Sequence, residues 1–265
     1  PNQKDAEAKA KAGLNPPRFL FLQIQQNFGL GIVDITVAEG AYKLPESYSI
    51  NAKHLPDSIC VEAEKFVQTI LKTTGCKARI TSKKKADIEM SLDTNLPNEG
   101  YKLSVTKKKI QISASTTSGF FYAFQTIKKI MPAHVMAGLN PEQAQAIIPT
   151  FQTDKRPTIP CVEIYDEPRF WYRGFMLDCG RHFFTVDEIK HILDGMAMYK
   201  MNYFHWHLTE DQGWRFEVKK YPRLTSIGSV ASDCRMNDME KGYYWLGKPY
   251  GPFFYTQEDC REIVE

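Results

Sequence analysis

A strand, a capped helix and a second strand follow one another within residues 174–208, and this succession limits the possible folds more than any other feature of the chain. The apolar run at 175–177 lies between two glycines and is typical of a strand buried on both faces. Thr185 and Glu188 have the spacing of a capping box, and apolar residues then recur every three to four positions. An aromatic-rich strand is predicted at 203–208. This order predicts a right-handed βα unit, the building block of parallel sheets and barrels.

The sequence upstream predicts a separate layer of strands and helices. Apolar periodicity predicts one helix that begins at Asp57 and is capped by Gly75. A second apolar helix follows Gly119 and ends at Pro132. Turn residues separate short predicted strands at 31–37, 78–80, 86–92, 101–106 and 109–115.

These patterns divide the chain into four segments. Residues 1–17 are small and charged, which predicts a disordered lead-in. The accessory α/β domain is predicted at 18–131. Five prolines at 132–167 indicate an interdomain linker with at most one short helix, and the βα units occupy 168–265.

Composition and charge exclude several classes of protein. Thirty-four basic and 31 acidic residues leave a net charge of +3, which is too small to indicate nucleic acid or an anionic membrane as partner. No apolar stretch approaches the ~20 residues that span a bilayer, so no membrane-spanning segment is predicted. The six cysteines stand alone, with no CxxC, which argues against a structural zinc site and predicts mostly small buried side chains.

Polar side chains follow both predicted strands of the βα unit, where barrel enzymes place their active sites. Asp178, Arg181 and His182 follow the first strand. The second strand is followed by Glu210, Asp211, Trp214 and Arg215. An arginine beside carboxylates can bind a neutral polar ligand, and a tryptophan offers a face to the apolar side of a sugar. The alternatives are a structural Asp178–Arg181 ion pair and acidic residues that face water.

His205 and His207 lie two apart on the second strand and therefore share a face. Such a pair holds a metal in some metal-dependent barrels. Because zinc sites use three or four ligands and no third is evident, we favour core histidines over a metal site.

The stretch from 173 to 229 resembles the opening of the catalytic barrel in glycoside hydrolase family 20, the β-N-acetylhexosaminidases. It contains RHFF followed by KMNYFHWHLTEDQGWR. Upstream, EGYKLSV at 99–105 and SGFFYAFQTIKKIMP at 118–132 resemble the accessory domain of that family. The resemblance implies an α/β chain. An N-terminal α+β domain, with a mixed or antiparallel sheet and two helices, precedes the first βα units of a TIM (β/α)8 barrel.

The resemblance also implies residue roles. Arg181 matches the arginine that hydrogen-bonds the ring hydroxyls of the terminal sugar. Glu210 matches an acidic position, often Asp, in an acid–His–Glu relay that supports the general acid. The remaining matches, Asp178, His205, His207 and Asp211, correspond to structure that supports the mouth of the barrel.

Family members remove terminal non-reducing β-linked N-acetylhexosamine with retention of configuration and without a metal or other cofactor. A neighbouring Asp–Glu pair on a later strand does this, with the substrate's own acetamido oxygen as nucleophile, an exception to the usual two-carboxylate scheme. The printed sequence ends at Glu265, before that pair is expected, with about two of eight βα units. We therefore expect a truncated barrel that is inactive alone.

The implied partners are glycans that contain N-acetylhexosamine, and the implied location is outside the cytoplasm (periplasmic, secreted or lysosomal). Two other functions stay open at this stage. One is a metal-dependent barrel hydrolase that uses His205 and His207, and the other is a non-catalytic carbohydrate-binding module.

Overall fold

The computed structural model describes residues 34–147, 156–238, 240 and 242–265. The chain divides into two compact units, Pro1–Trp171 and Tyr172–Glu265. The lead-in predicted at 1–17 lies outside the described residues. In the described part of the chain, no helix is both long and apolar enough to cross a bilayer.

The first unit is built on a mixed sheet whose seven described strands have the order β1-β7-β5-β6-β4-β2-β3. Their bounds are β1 (Asp34–Lys43), β2 (Ser47–Ile50), β3 (Lys77–Ile80), β4 (Ile88–Leu92), β5 (Tyr101–Val105), β6 (Ile110–Ala114) and β7 (Thr158–Asp166). Strands β3, β2, β4 and β6 pair in parallel, whereas β5 is antiparallel to both β6 and β7, and β1 is antiparallel to β7. In β5 every second residue is buried, as expected for a sheet with one face on the core.

Four helices complete the described part of this unit: α1 (Asp57–Thr74), α2 (Thr117–Ile130), α3 (Ala133–Met136) and α4 (Pro141–Ile147). Gly75 caps α1 with φ of 73° and donates its N–H to the Leu71 carbonyl at 2.9 Å, which confirms the predicted helix end. Between α1 and α2, the rings of Phe66 and Phe124 stack with centroids 4.5 Å apart. The two helices therefore share one apolar layer with the buried side of the sheet.

The prediction of a linker at 132–167 is wrong, because this segment contains α3, α4 and strand β7. Strand β7 lies between β1 and β5 and is the second strand from one edge of the described sheet. Pro160 pairs only with β1, opposite Ala41, where the register of β1 is irregular, and β5 pairs with β7 from Val162 onward. Proline is tolerated where no ladder N–H is needed, so it did not prevent strand formation here.

The second unit begins with the predicted βα unit. Its described elements are β8 (Gly174–Asp178), α5 (Val186–Met198), β9 (Tyr203–His207), β10 (Thr209–Glu210), β11 (Gly213–Trp214), α6 (Arg223–Ser226), β12 (Arg235–Asp238), β13 (Gly242–Trp245) and α7 (Gln257–Val264). Strands β8 and β9 pair in parallel. Both hydrogen bonds of the capping box join Thr185 and Glu188, as predicted. Two antiparallel hairpins, β10–β11 and β12–β13, follow β9.

One face of the β8–β9 pair carries the core of this unit. Leu177, Cys179 and Trp206 pack there with α5 and Tyr255. The expected burial of the 175–177 run on both faces is wrong, because Phe175 and Met176 are exposed. Among the described residues, Ile189 of α5 and Ile263 of α7 join the core around Leu177, whereas Met176 projects from the opposite face of the strand. All six cysteines are free and four are buried, which confirms the interpretation as small buried side chains.

Candidate functional site

The candidate site lies at the C-terminal ends of β8 and β9. Asp178 and His207, the last residues of the two strands, are register partners in the parallel pair. Arg181 follows β8 by three residues and Glu210 ends the short strand β10. Since parallel strands end at the same edge, side chains distant in sequence meet here.

Arg181 and the two carboxylates form one connected network. The Arg181 Nη1 atom donates to Asp178 Oδ2, and its backbone N–H donates to Asp178 Oδ1 at 3.1 Å. Arg181 Nη2 lies 3.2 Å from Glu210 Oε2. That same carboxylate oxygen lies 3.0 Å from His207 Nε2, so His207 and Arg181 both hold Glu210. The predicted site residues Asp178, Arg181, His207 and Glu210 are therefore brought together.

The network keeps its carboxylates ionised. The hydrogen bond from the backbone N–H of Asp211 lowers the pKa of Glu210. The charge of Arg181 and the hydrogen bond with His207 lower this pKa further. Burial alone raises the pKa of Asp178, but hydrogen bonds from the Arg181 side chain and backbone outweigh it and lower the pKa overall. The hydrogen bond and charge of Asp178, followed by the charge of Glu210, raise the pKa of Arg181.

Arg181 retains hydrogen-bonding capacity for a ligand. Its side chain is 58% exposed, and a guanidinium has five N–H donors in a fixed fork. The Asp178 carboxylate accepts one N–H of a terminal nitrogen, and the Glu210 carboxylate forms an ion pair with the other terminal nitrogen, which leaves further donors for a ligand. Because two carboxylates already surround the single positive charge, the network offers donors without an excess positive charge. This arrangement suits a neutral, hydroxyl-rich ligand better than an anion.

Gly180 permits the close approach of Glu210 to the loop that carries Arg181. A Cβ atom at this position would lie 2.6 Å from Glu210 Cβ and 3.3 Å from Asp178 Oδ1. Real Cβ atoms do not tolerate the shorter distance, so any larger residue displaces the carboxylate or the loop. In the sequence, Gly180 marks the end of the predicted strand, and its place directly before Arg181 is also a signal for tight packing.

Arg215 is fully buried beneath the site and holds four main-chain carbonyl oxygens. Its Nε donates to Cys179 O at 3.0 Å and its Nη2 donates to Gly180 O at 3.0 Å. Its Nη1 donates to Ser229 O at 2.7 Å and to Phe253 O at 2.9 Å. Among the described residues, no carboxylate lies within salt-bridge distance of it, and burial lowers its pKa. Arg215 thus fixes the backbone just before Arg181 to two later loops.

This role corrects the expectation that Arg215 lies with the ligand-facing residues at the strand exit. The burial of Arg215 depends on carbonyl groups from three separate segments of the chain, which local sequence does not reveal. Gly213 again makes room, because a Cβ there would lie 2.4 Å from the guanidinium carbon of Arg215.

Three further residues that the sequence places after the two strands, Asp211, Trp214 and His182, differ in their exposure and contacts. Asp211 is exposed beside Glu210, and Trp214 is half-buried with its indole Nε1 donating to Phe216 O at 2.6 Å. His182 stacks on the ring of Tyr250 at a centroid distance of 5.9 Å. Tyr250 also accepts the Phe183 N–H at 3.1 Å and thereby holds the loop after β8.

The interpretation of His205 and His207 as core histidines is wrong. His205 is exposed, His207 is half-buried, and their ring centroids lie 6.2 Å apart. They share the strand face that α5 does not cover, which keeps them out of the core. Among the described residues, no group of three His, Cys, Asp or Glu side chains has a geometry that could hold a metal ion.

Comparison with known proteins assigns both units to one family. The family model "Glycosyl hydrolase family 20, domain 2" matches residues 32–167, and "Glycosyl hydrolase family 20, catalytic domain" matches residues 170–265. The chain belongs to glycoside hydrolase family 20. The first match includes β7, in agreement with the sheet, and the resemblance found in the sequence is confirmed.

Curated relatives and solved structures agree with this assignment. A β-hexosaminidase of Porphyromonas gingivalis is 39% identical over 233 residues, which cover 83% of this chain and 26% of that protein. The structure of a family 20 exo-β-N-acetylglucosaminidase from Vibrio harveyi, in complex with N-acetylglucosamine, has a TM-score of 0.70 at 28% identity. It matches 89% of this chain and 33% of its own.

A Streptomyces plicatus N-acetyl-β-hexosaminidase also has a TM-score of 0.70, with 26% identity over 87% of this chain and 41% of its own. The chain therefore spans about a quarter of the length of the curated relative and a third to two fifths of the length of these solved chains.

Proposed function

We propose that the protein to which these residues belong is a β-N-acetylhexosaminidase that removes terminal non-reducing β-linked N-acetylhexosamine units from glycans. Family membership supports this reaction class, and the Vibrio harveyi relative is named an exo-β-N-acetylglucosaminidase and was crystallised with N-acetylglucosamine. A location outside the cytoplasm stays a prediction from the family resemblance.

The observation that carries the proposal is the exposed guanidinium of Arg181 at the end of β8, anchored by Asp178 and Glu210. A planar fork of donors suits two neighbouring sugar hydroxyls at once. The carboxylates hold the fork in place before the ligand arrives, so little side-chain freedom is lost on binding. In this proposal Arg181 is the sugar-binding residue.

Glu210 is proposed to support the general acid through a relay, as its position in the family motif implies. It is one methylene longer than the Asp often found there, and its Oε2 is shared between Arg181 and His207. Glu210 thus couples the sugar-binding arginine to the relay. Asp178, His207 and Asp211 act as supports for these two side chains.

The decisive experiment compares Arg181→Ala with Arg261→Ala in the full-length protein, using a methyl N-acetyl-β-glucosaminide as substrate. Arg261 is a matched control, because it also forms an exposed pair with a carboxylate three residues away, Glu258. Loss of two charge-assisted hydrogen bonds predicts that Arg181→Ala lowers kcat/KM by about two to four orders of magnitude. Arg261→Ala is expected to stay within about twofold of the parent, because surface substitutions of this kind have small effects. Normal kcat/KM in Arg181→Ala would refute the assignment.

The mechanism has its own tests. We propose retention with the acetamido group of the substrate as nucleophile, so proton NMR is expected to show the β-anomer as the first product. An α-anomer as first product would contradict this. A chelator is expected to leave the rate unchanged. Stoichiometric zinc with loss of activity on chelation would instead favour a metal-dependent hydrolase, and sugar binding without turnover would favour a binding module.

A further inference from the structure

A cleft of about 370 Å³ opens on the first unit, beside strands β4 and β6. In both strands the core takes alternate residues, and the residues between them project from the other face of the sheet. On that face Glu89 is the register partner of Gln111 and Ser91 that of Ser113, and all four residues line the cleft. The hydroxyl oxygens of Ser91 and Ser113 lie 2.9 Å apart. The floor of the cleft therefore consists mainly of hydroxyl and amide groups.

Two loops form the wall of the cleft, one after β2 and one after β3. They contribute His54, Ser82 and Lys84 to its lining. The buried side chain of Asn51 joins both loops to the sheet, because its Oδ1 accepts the N–H of Met90 and its Nδ2 donates to Lys84 O at 3.4 Å. The main chain that carries Lys84 is thus fixed to the sheet, so the cleft exists before any ligand binds.

The charged side chains that line the cleft do not cancel. Glu89 Oε2 lies 2.7 Å from the Lys109 ammonium and accepts an amide N–H of Gln111 at 3.0 Å, so this carboxylate is already paired. In the part of the chain that the structure describes, no carboxylate lies within salt-bridge distance of Lys84. Because Lys84 is exposed, its ammonium group is available to an anionic ligand.

The loops around the cleft add to this positive charge. Residues 51–56 and 81–87 contain one acidic residue, Asp87, and its Oδ2 is occupied by the Ser49 hydroxyl at 2.7 Å. The same two loops carry three further exposed lysines, Lys53, Lys83 and Lys85. The net charge of +3 for the whole chain does not reveal this local excess. An excess of one sign beside a cleft attracts ligands of the opposite sign.

We propose that the cleft binds an acidic sugar unit of a glycan chain, either a uronic acid or a sulfated sugar. A carboxylate or sulfate group would pair with Lys84 through a charge-assisted hydrogen bond. The sugar hydroxyls would bond to the serine and glutamine side chains of the floor, which both donate and accept. The inference goes beyond the proposed hydrolase reaction and does not depend on it.

Two other polyanions fit the cleft less well. Single-stranded nucleic acid is bound through stacked bases as well as phosphates, but no Phe, Tyr or Trp is among the described residues that line the cleft. Helices that bind at an anionic membrane combine basic residues with large apolar side chains, whereas residues 51–56 and 81–87 expose no large hydrophobic side chain. Hydroxyl and amide groups beside a lysine match a ligand that is both anionic and rich in hydroxyls.

The experiment measures calorimetric binding of a chondroitin sulfate hexasaccharide to the full-length protein. Its non-reducing end is a uronic acid, so it offers no terminal N-acetylhexosamine to hydrolysis. The parent is expected to bind it and not to bind neutral cellohexaose. Lys84→Ala is expected to weaken binding about tenfold, the equivalent of one charge-assisted hydrogen bond. The matched control Lys72→Ala removes an exposed lysine from α1 of the same unit and is expected to stay within about twofold.

A second variant separates the cleft from its surrounding charge. Ser113→Val keeps the net charge, replaces a floor hydroxyl by two methyl groups and suits a strand. It is expected to weaken binding of the hexasaccharide about fivefold with an unchanged denaturation midpoint. Unchanged binding in Ser113→Val would reduce the interaction to general attraction of polyanions and would overturn the inference.

The remaining outcomes also decide the inference. It fails if the parent does not bind the hexasaccharide, or if Lys72→Ala loses as much affinity as Lys84→Ala. It also fails if phosphatidylglycerol vesicles or single-stranded DNA bind more tightly than the hexasaccharide and depend equally on Lys84, because the surface would then belong to a membrane or a nucleic acid. The proposed function is tested separately, since loss of hexasaccharide binding in Lys84→Ala is expected whether or not the protein hydrolyses a methyl N-acetyl-β-glucosaminide.

Discussion

Replacement of the buried Arg215 by methionine tests how the site is held in place. The guanidinium makes four hydrogen bonds to carbonyl oxygens, two of them on Cys179 and Gly180 directly before Arg181. Charge-assisted bonds contribute about 1.5–3 kcal/mol each, so the gross interaction is roughly 6–12 kcal/mol. Burying the charge costs several kcal/mol, which methionine avoids. The expected net loss in the free energy of unfolding is therefore about 3–5 kcal/mol.

Denaturant unfolding of the full-length protein measures this loss, and Arg223→Met supplies the control. Arg223 is exposed on α6 in the same unit, so its replacement is expected to change stability by less than about 0.5 kcal/mol. Hydrogen exchange adds a local measurement. In Arg215→Met, protection is expected to fall at 179–183, 229–231 and 253–255, the segments joined through this side chain.

Arg215→Lys separates charge from geometry. An ammonium keeps the charge but has three donors on one atom, so it cannot reach four carbonyl groups that the planar fork reaches from different directions. We expect Lys to recover only a minor part of the lost stability. If Arg215→Met loses less than about 1 kcal/mol, or if exchange at 179–183 is unchanged, Arg215 does not hold the loop as described.

Three further changes probe other contacts. Glu210→Gln is expected to destabilise the protein at neutral pH, because the folded state lowers the pKa of Glu210 and so gains stability above the ordinary glutamate pKa. The difference in stability between the parent and Glu210→Gln is expected to shrink as the pH falls through the folded-state pKa of Glu210. An equal difference in denaturation midpoint at pH 7 and pH 3 would contradict this contribution of Glu210. Gly180→Ala is expected to cost about 1–3 kcal/mol and to raise KM, since the added Cβ meets Glu210; unchanged KM would show that the loop relaxes freely. Tyr101→Phe removes the buried hydroxyl that joins β5 to Thr126 and Asp166 and is expected to cost about 1–3 kcal/mol in urea unfolding. The control Tyr165→Phe loses only a hydroxyl contact near the surface and is expected to cost less than about 0.5 kcal/mol; equal losses would contradict the role of Tyr101.

Local signals predicted much of the fold. The capping box at Thr185 and the glycine after α1 act within a few residues of the chain, so sequence alone places these helix ends. Strand β2 was not predicted, because four residues carry too little alternation and its partners β3 and β4 lie far along the chain. Strand β7 was misassigned because Pro160 indicates a loop unless the irregular register of β1 is known.

The candidate site was predictable where parallel strands determine proximity. Asp178, Arg181 and Glu210 were expected together because β8 and β9 end at the same edge, and their side chains do meet there. The burial of Arg215 was not predictable, because its partners come from three segments that only the folded chain brings together.

Two arginines of the same unit show how environment decides the role of one residue type. Arg181 is held by carboxylates, remains exposed and keeps donors for a ligand. Arg215 is held by carbonyl oxygens, is fully buried and has its donors directed at the main chain. Because the buried Arg215 fixes the backbone of Cys179 and Gly180, the backbone directly before Arg181 has little conformational freedom. A flexible arginine would lose conformational entropy when it binds a sugar. Because Arg181 rests on a rigid support, less of the free energy of its hydrogen bonds is offset by this loss, and binding is stronger.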